Sequence, residues 1–251
     1  MEVHTGDKNQ PDKPSKTEVL FVAAPSTTYN DPSTYDRRDL SQIELGNQRF
    51  LPVVSKFCYL GTILTRNCRD DEDVKSRIKA AGNSFGALRK CLFSNPSISF
   101  SAKSTVYEGL VLSILLYGSE GWCLTEELFH LLRIFHARSV RSMCRVNRWH
   151  VRKHRITTKE LLSRVGLKPI DTYVTQRQLR WAGHVSRMSF DRLPRKMLSS
   201  WVPSKRPRGA PEFTYGRGLY KALKKVDVNR DSWHELASNR EQWRTVLKAM
   251  N

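Results

Sequence analysis

The sequence predicts a mainly α-helical protein with a small antiparallel β section at its N-terminal side. That section is expected to pack on a helical bundle, which a basic helical region follows. Three observations carry the expectation. Val74, Ile78, Ala81, Phe85, Leu88 and Leu92 recur at steps of three and four, which places them on one face of an α-helix. Strand-like runs of β-branched and aromatic residues lie before residue 66. Charge is also regional: residues 1–130 hold 15 basic and 16 acidic side chains, net −1, whereas residues 131–251 hold 28 and 8, net +20.

In chain order, residues 1–15 read as a polar, disordered tail and Ser26 to Asp39 as a surface loop. Thr17 to Val22, Ile43 to Leu45 and Phe57 to Leu64, the last bent at Gly61, are the strand candidates. Asp70 to Asp73 place four acids at the start of the periodic helix, where they favour its dipole. Asn95-Pro-Ser97 ends it, and a second helix runs from Ser99 or Ser101 to Tyr117, ahead of Gly118, Gly121 and Trp122. Thr125 caps a third helix reaching about Val146, with Leu128, Leu132, Phe135, Val140 and Met143 inward. Thr157-x-x-Glu160 is a capping box for Leu161 to Val165, closed by Gly166. Asp171 is expected to cap the next helix, which carries Val174, Trp181, Val185 and Met188. Prolines at 194, 203, 207 and 211 predict an extended segment from Leu193 to Phe213, before helices at 216–226 and 232–249.

With 251 residues and 39% hydrophobic content the chain can bury a sizeable core. It has no apolar run of 18 residues, so no membrane span is expected. Met1 to Lys16 lacks the apolar stretch of a signal peptide, and five widely spaced cysteines read as reduced thiols. Nucleus or cytoplasm is the expected location.

Between Arg133 and Lys159 there are nine Lys or Arg and no Asp or Glu. Arg133, Arg138, Arg141, Arg145, Arg148, Arg152 and Lys153 are the candidate contacts to an anionic partner. RNA or DNA backbone is the commonest partner with repeating negative charge. Arg177, Arg180 and Arg187 form a second candidate stripe, and Lys205, Arg206 and Arg208 lie in the extended segment. Trp149 and Trp201, in basic surroundings, are candidates for stacking on bases, whereas Trp122, Trp181, Trp233 and Trp243 have core spacing. Cys144-x5-His150-x3-His154 lacks a fourth ligand and sits amid positive charge, so no metal site is expected. His184 has no acid or base partner in the sequence and reads as structural or as a phosphate contact.

Six stretches in order carry a family resemblance. They are Lys16-Thr-Glu-Val-Leu-Phe21, Phe57-Cys-Tyr-Leu-Gly61, Leu116-Leu-Tyr-Gly-Ser-Glu-Gly-Trp122, Gln178-Leu-Arg-Trp-Ala-Gly-His-Val-Ser-Arg-Met188, Arg206-Pro-Arg-Gly209 and Asn239-Arg-Glu-Gln-Trp-Arg244. Together they resemble the carboxyl-terminal part of the reverse transcriptases of non-LTR (LINE-type) retrotransposons. The resemblance implies a palm-edge β remnant with an inserted loop over 16–66 and a thumb-like helical region over 67–156. A basic helical region, with a Pro-rich segment at 193–213, then covers 157–251. Tyr59, Leu60 and Gly61 match the primer grip.

The parent enzymes are RNA-directed DNA polymerases, often with an endonuclease. They hold Mg2+ on aspartates expected upstream of this chain's first residues. Asp70-Asp71 falls after the Tyr-Leu-Gly stretch, the wrong side for that pair. The expectation is therefore no catalytic residue, no cofactor and no enzyme in this chain alone. Non-specific backbone binding is the favoured function. The alternatives are an inert fragment, or a subunit that completes a palm carried by another chain. The run Gly209-Ala-Pro211 departs from the family's Gly-Arg-Pro, and Tyr215 and Arg217 stand where a Trp and an Asp usually follow.

Overall fold

The structure, a computed structural model, describes residues 17–20, 42–44, 50–199 and 214–250. The tail 1–15, the loop 26–39, Trp201, Lys205, Arg206 and Arg208 lie outside them. The fold is mainly α-helical with a small β section on the N-terminal side. The chain divides near Asp73 into two compact units.

In the first unit, β3 (Phe50–Val54) is central, parallel to β1 (Val19–Leu20) and antiparallel to β2 (Gln42–Glu44). The sheet is therefore mixed, not antiparallel as expected. The long connection between β1 and β3 gives the chain room for a crossover. β3 lies outside the strands expected from sequence, and it carries Pro52, a residue that cannot donate to a ladder. Among the described residues β1 pairs with Val53 and Val54, and Pro52 pairs with Gln42 of β2.

The run expected as one bent strand is a hairpin, β4 (Lys56–Tyr59) and β5 (Thr62–Thr65). Leu60 and Gly61 turn it with φ of 48° and 83°, the double left-handed geometry that matches strand twist in a two-residue loop. The buried Asp73 carboxylate accepts the Ile63 N–H at 3.0 Å. An acid expected to complement the helix dipole or cap the helix also accepts a bond from the hairpin.

The second unit contains two apolar cores. α1 (Asp71–Leu88) contributes Val74, Ala81 and Phe85 to the first, and a π-helical stretch, Arg89–Phe93, follows. α2 (Phe100–Val106), N-capped by Ser99, passes through another π stretch, Tyr107–Leu112, into α3 (Ser113–Leu115). Phe85 stacks on Phe93 at 4.4 Å, and Tyr107 meets both rings edge-on at 6.1 Å. α4 (Glu126–Met143) and α6 (Thr158–Val165) close this core. The capping box of Thr157 and Glu160 and the left-handed Gly166 stand where the sequence placed them.

His136 on α4 is buried. Its Nε2 donates to the Lys168 carbonyl at 3.0 Å, so its Nδ1, 3.0 Å from the Tyr107 hydroxyl, accepts. Burial pushes its pKa down to about 4, which keeps the ring neutral and structural.

α7 (Ile170–Ser186) belongs to both cores: Val174 lies in the first, Leu179 and Ala182 in the second. Asp171 sits inside its first turn rather than at its cap, and Pro169 occupies the cap. Leu193 to Phe213 was expected to be extended, but Leu193–Ser199 is helical (α8). Pro194 is its second residue, where the missing N–H has no helical partner to lose. The C-terminal pair of helices is three: α9 (Tyr215–Lys225), α10 (Trp233–Ser238) and α11 (Arg240–Lys248). Asn239 makes the break, its side chain accepting the N–H groups of Glu241 and Gln242. Among the described residues no helix is long and apolar enough to cross a membrane. The five cysteines form no disulfide.

Candidate nucleic-acid interface

The Thr125 hydroxyl accepts the Leu128 N–H, and Glu126 and Glu127 fill the first turn of α4. Burying Leu128, Leu132, Val140 and Met143 on one side leaves Arg133, Arg138 and Arg141 toward the other. The helix ends in paired turns: Val146 N–H donates to the Arg141 carbonyl and Arg145 N–H to that of Ser142, both at 3.1 Å. Arg145 takes φ 56° there, at a position that favours glycine. α5 (Arg148–Lys153), capped by Asn147, repeats the ending with Arg155 at φ 50°. Each left-handed arginine costs about 1–2 kcal/mol.

α4 and α5 bring the arginines together. Arg89, Arg138, Arg141, Arg145 and Arg148 line a groove of about 540 Å3. Arg138, Arg141 and Arg148 also line a neighbouring cleft of about 840 Å3, with Lys159 and an apolar floor that includes Ile134, Leu162 and Ile170. These three guanidiniums therefore form a ridge between two concavities. Partial burial, followed by the charges of Arg148 and Arg138, holds the Arg141 pKa below its ordinary value. Crowded cations without a carboxylate among them are a standing electrostatic cost, relieved by an anion.

The remaining residues that the sequence nominated differ in their surroundings. Arg133 is engaged by two acids: its Nε donates to Asp171 at 2.9 Å and its Nη1 to Glu126. Partial burial opposes ionisation of Asp171, but the bond and charge of Arg133 outweigh it and lower that pKa. Arg177, half-buried, donates to the Leu116 carbonyl at 3.2 Å. Arg152 and Lys153 are exposed on α5, Lys153 Nζ lying 4.7 Å from the centroid of the Trp149 ring. Trp149 is 64% exposed. Trp181 departs from the core expectation and is 39% exposed, with the His184 ring 5.7 Å away. Arg180 and Arg187 are exposed on α7. Tyr59, Leu60 and Gly61 form the exposed tip of the hairpin. Among the described residues no three His, Cys, Asp or Glu side chains gather as a metal site would need.

Three of the recurring stretches are packing elements. Gln178 Nε2 donates to the Trp122 carbonyl and Trp243 Nε1 to that of Leu179, both at 3.0 Å. A Cβ on Gly183 would stand 2.2 Å from Trp243 Nε1, so only glycine admits the indole.

Replacing Arg145 and Arg155 by glycine should separate stability from binding. Each change is expected to stabilise the fold by roughly 1 kcal/mol, the relief of left-handed strain less the added chain entropy. Each should also weaken nucleic-acid binding, as denaturation and anisotropy titrations would reveal. Unchanged binding in a stabilised protein would remove these two side chains from the interface.

The chain is 24% identical over 259 aligned positions to an uncharacterised protein of Caenorhabditis elegans described as transposon-derived. The alignment covers 99% of this chain and 83% of that protein. No protein-family model matches the chain, and no solved structure does. The chain thus has a distant, transposon-derived homologue.

Proposed function

We propose that this chain is a retroelement-derived protein that holds nucleic acid by its phosphate backbone and does not polymerise it. The observation that carries the reading is the ridge of Arg138, Arg141 and Arg148, which lines two concavities: no carboxylate lines the smaller, and in the larger Asp171 is bonded to Arg133. Arg145 and Arg89 share the smaller concavity with it, and Arg152, Lys153 and Arg155 stand exposed on α5 and just after it. Arg133 does not belong to it, because Glu126 and Asp171 already neutralise its charge. Contacts of this kind give affinity with little sequence choice.

The transposon-derived homologue and the ordered sequence stretches support descent from a non-LTR reverse transcriptase. In that descent α1 to α3 correspond to a thumb and the Tyr59-Leu60-Gly61 tip to a primer-grip relic. Binding of purified protein to duplex DNA, RNA–DNA hybrid and single-stranded RNA tests the reading. Binding is expected at about 50 mM salt with a steep fall toward 300 mM. Preference for the hybrid would support the thumb ancestry, and equal binding to all three a general clamp. No binding by a folded sample would contradict the proposal and leave an inert fragment.

A further inference from the structure

A second cationic groove lies between α7 and α11. It holds about 820 Å3, and Arg180, His184 and Arg187 face Arg240, Arg244 and Lys248 across it, with no carboxylate among its lining residues. Arg240, Arg244 and Lys248 recur every four residues, so α11 presents them as one row. Trp243 and Leu247, buried beside that row on the same helix, also line the groove.

The groove is built by tight packing rather than by chance proximity of long side chains. Gly183 lets the Trp243 indole lie directly against α7, and the indole N–H is bonded to the Leu179 carbonyl. Gln176 Nε2 donates to the Leu247 carbonyl at 3.2 Å, securing the far end of α11. Arg187 Nη1 donates to the Ala237 carbonyl at 2.6 Å, tying the end of α7 to α10. Burial, and after it the charge of Arg240, lowers the pKa of Arg187. The fold therefore brings two rows of like charge together and leaves them unneutralised by acids from the groove walls. That arrangement is costly alone and favourable around a polyanion.

We infer that this α7–α11 groove is a second binding site for the phosphodiester backbone of nucleic acid, with Arg180, Arg240, Arg244 and Lys248 as its phosphate contacts. It rests on the nucleic-acid reading of the α4–α5 ridge and adds a separate grip to it. Cations on both walls suit a strand lying along the groove, with phosphates in reach of either row. His184, neighbouring the exposed Trp181, stands at its wall as a hydrogen-bond donor to phosphate or sugar.

The test compares wild type with the triple variant Arg240→Ala, Arg244→Ala, Lys248→Ala, using labelled duplex DNA and single-stranded RNA. All three residues are exposed, so the variant should keep its cooperative melt. Arg187 is left in place because it bonds α10. The salt slope for duplex should fall by about two to three, and affinity near 0.15 M salt by about a hundredfold. A single variant, Arg244→Glu, should lower affinity without altering the melt. Wild-type affinity and slope in both variants would overturn the second site while leaving the α4–α5 ridge intact. Failure of wild type itself to bind would overturn both. Loss of binding to inorganic tripolyphosphate alone, with nucleic-acid binding retained, would show a site for small anions instead.

Discussion

The triple variant Arg138→Ala, Arg141→Ala, Arg148→Ala should bind nucleic acid about a hundredfold more weakly than wild type at 0.15 M salt. Each guanidinium that neutralises one phosphate releases a condensed counterion, so three lost contacts multiply. Stability should hold or rise. Arg138 and Arg148 are exposed, and all three repel one another around a partly buried Arg141. Removing an unneutralised cluster relieves the folded state. The loss should be nearly equal on unrelated sequences, because phosphates carry no base identity. Arg133→Ala is the informative contrast. It breaks an exposed ion-pair set with Asp171 and Glu126, so it should change binding little and stability by under about 1 kcal/mol. A triple variant that melts normally and binds normally would place the interface elsewhere.

Gly183→Ala should destabilise the protein by about 2–5 kcal/mol. The new methyl would meet the indole of Trp243 at 2.2–2.9 Å, and that ring is only 2% exposed and cannot swing away. Any shift that relieves the clash breaks the bond from Trp243 Nε1 to the Leu179 carbonyl. It also loosens Trp233, whose ring centroid lies 6.0 Å from that of Trp243. Gly86→Ala is the control: nothing lies within 4 Å of its added Cβ in an exposed stretch of α1, and the change should stabilise by about 0.5–1 kcal/mol. Chemical denaturation of the two variants measures the difference. Equal stabilities would mean that α11 does not depend on this close approach.

Local signals were legible where their causes are local. Thr125, Thr157 and Gly166 mark helix ends through bonds spanning a few residues, and each stands at the terminus its sequence implied. The apolar periodicity of α1 and α4 was readable for the same reason. Long-range partners were not. Asp171 looks like a cap until Arg133, 38 residues earlier, claims its carboxylate. Trp181 has core spacing, yet it stands partly in solvent beside Leu193 and Met197. β3 was not among the expected strands, and its pairing with β1 and β2 joins residues far apart in sequence.

The site was half legible. Charge density marked the stretch from Arg133 to Lys159, but charge alone does not distinguish Arg133, bonded to acids, from Arg141, surrounded by arginines. Arg89 approaches the ridge from a helix far earlier in the chain. The row on α11 was obscured because its basic residues are interleaved with Glu241 and Trp243, and only the docking of that helix sorts them by face. Its partner row was partly visible as Arg180 and Arg187.

The central claim is that arginines left unneutralised by the fold hold phosphates, and its most direct measurement is the salt dependence of duplex binding by folded wild-type protein beside the Arg138, Arg141, Arg148 variant. A linear fall of the logarithm of the binding constant with that of salt is predicted, with a slope about two to three smaller for the variant. Parallel lines for the two proteins, or a wild-type affinity indifferent to salt, would contradict it.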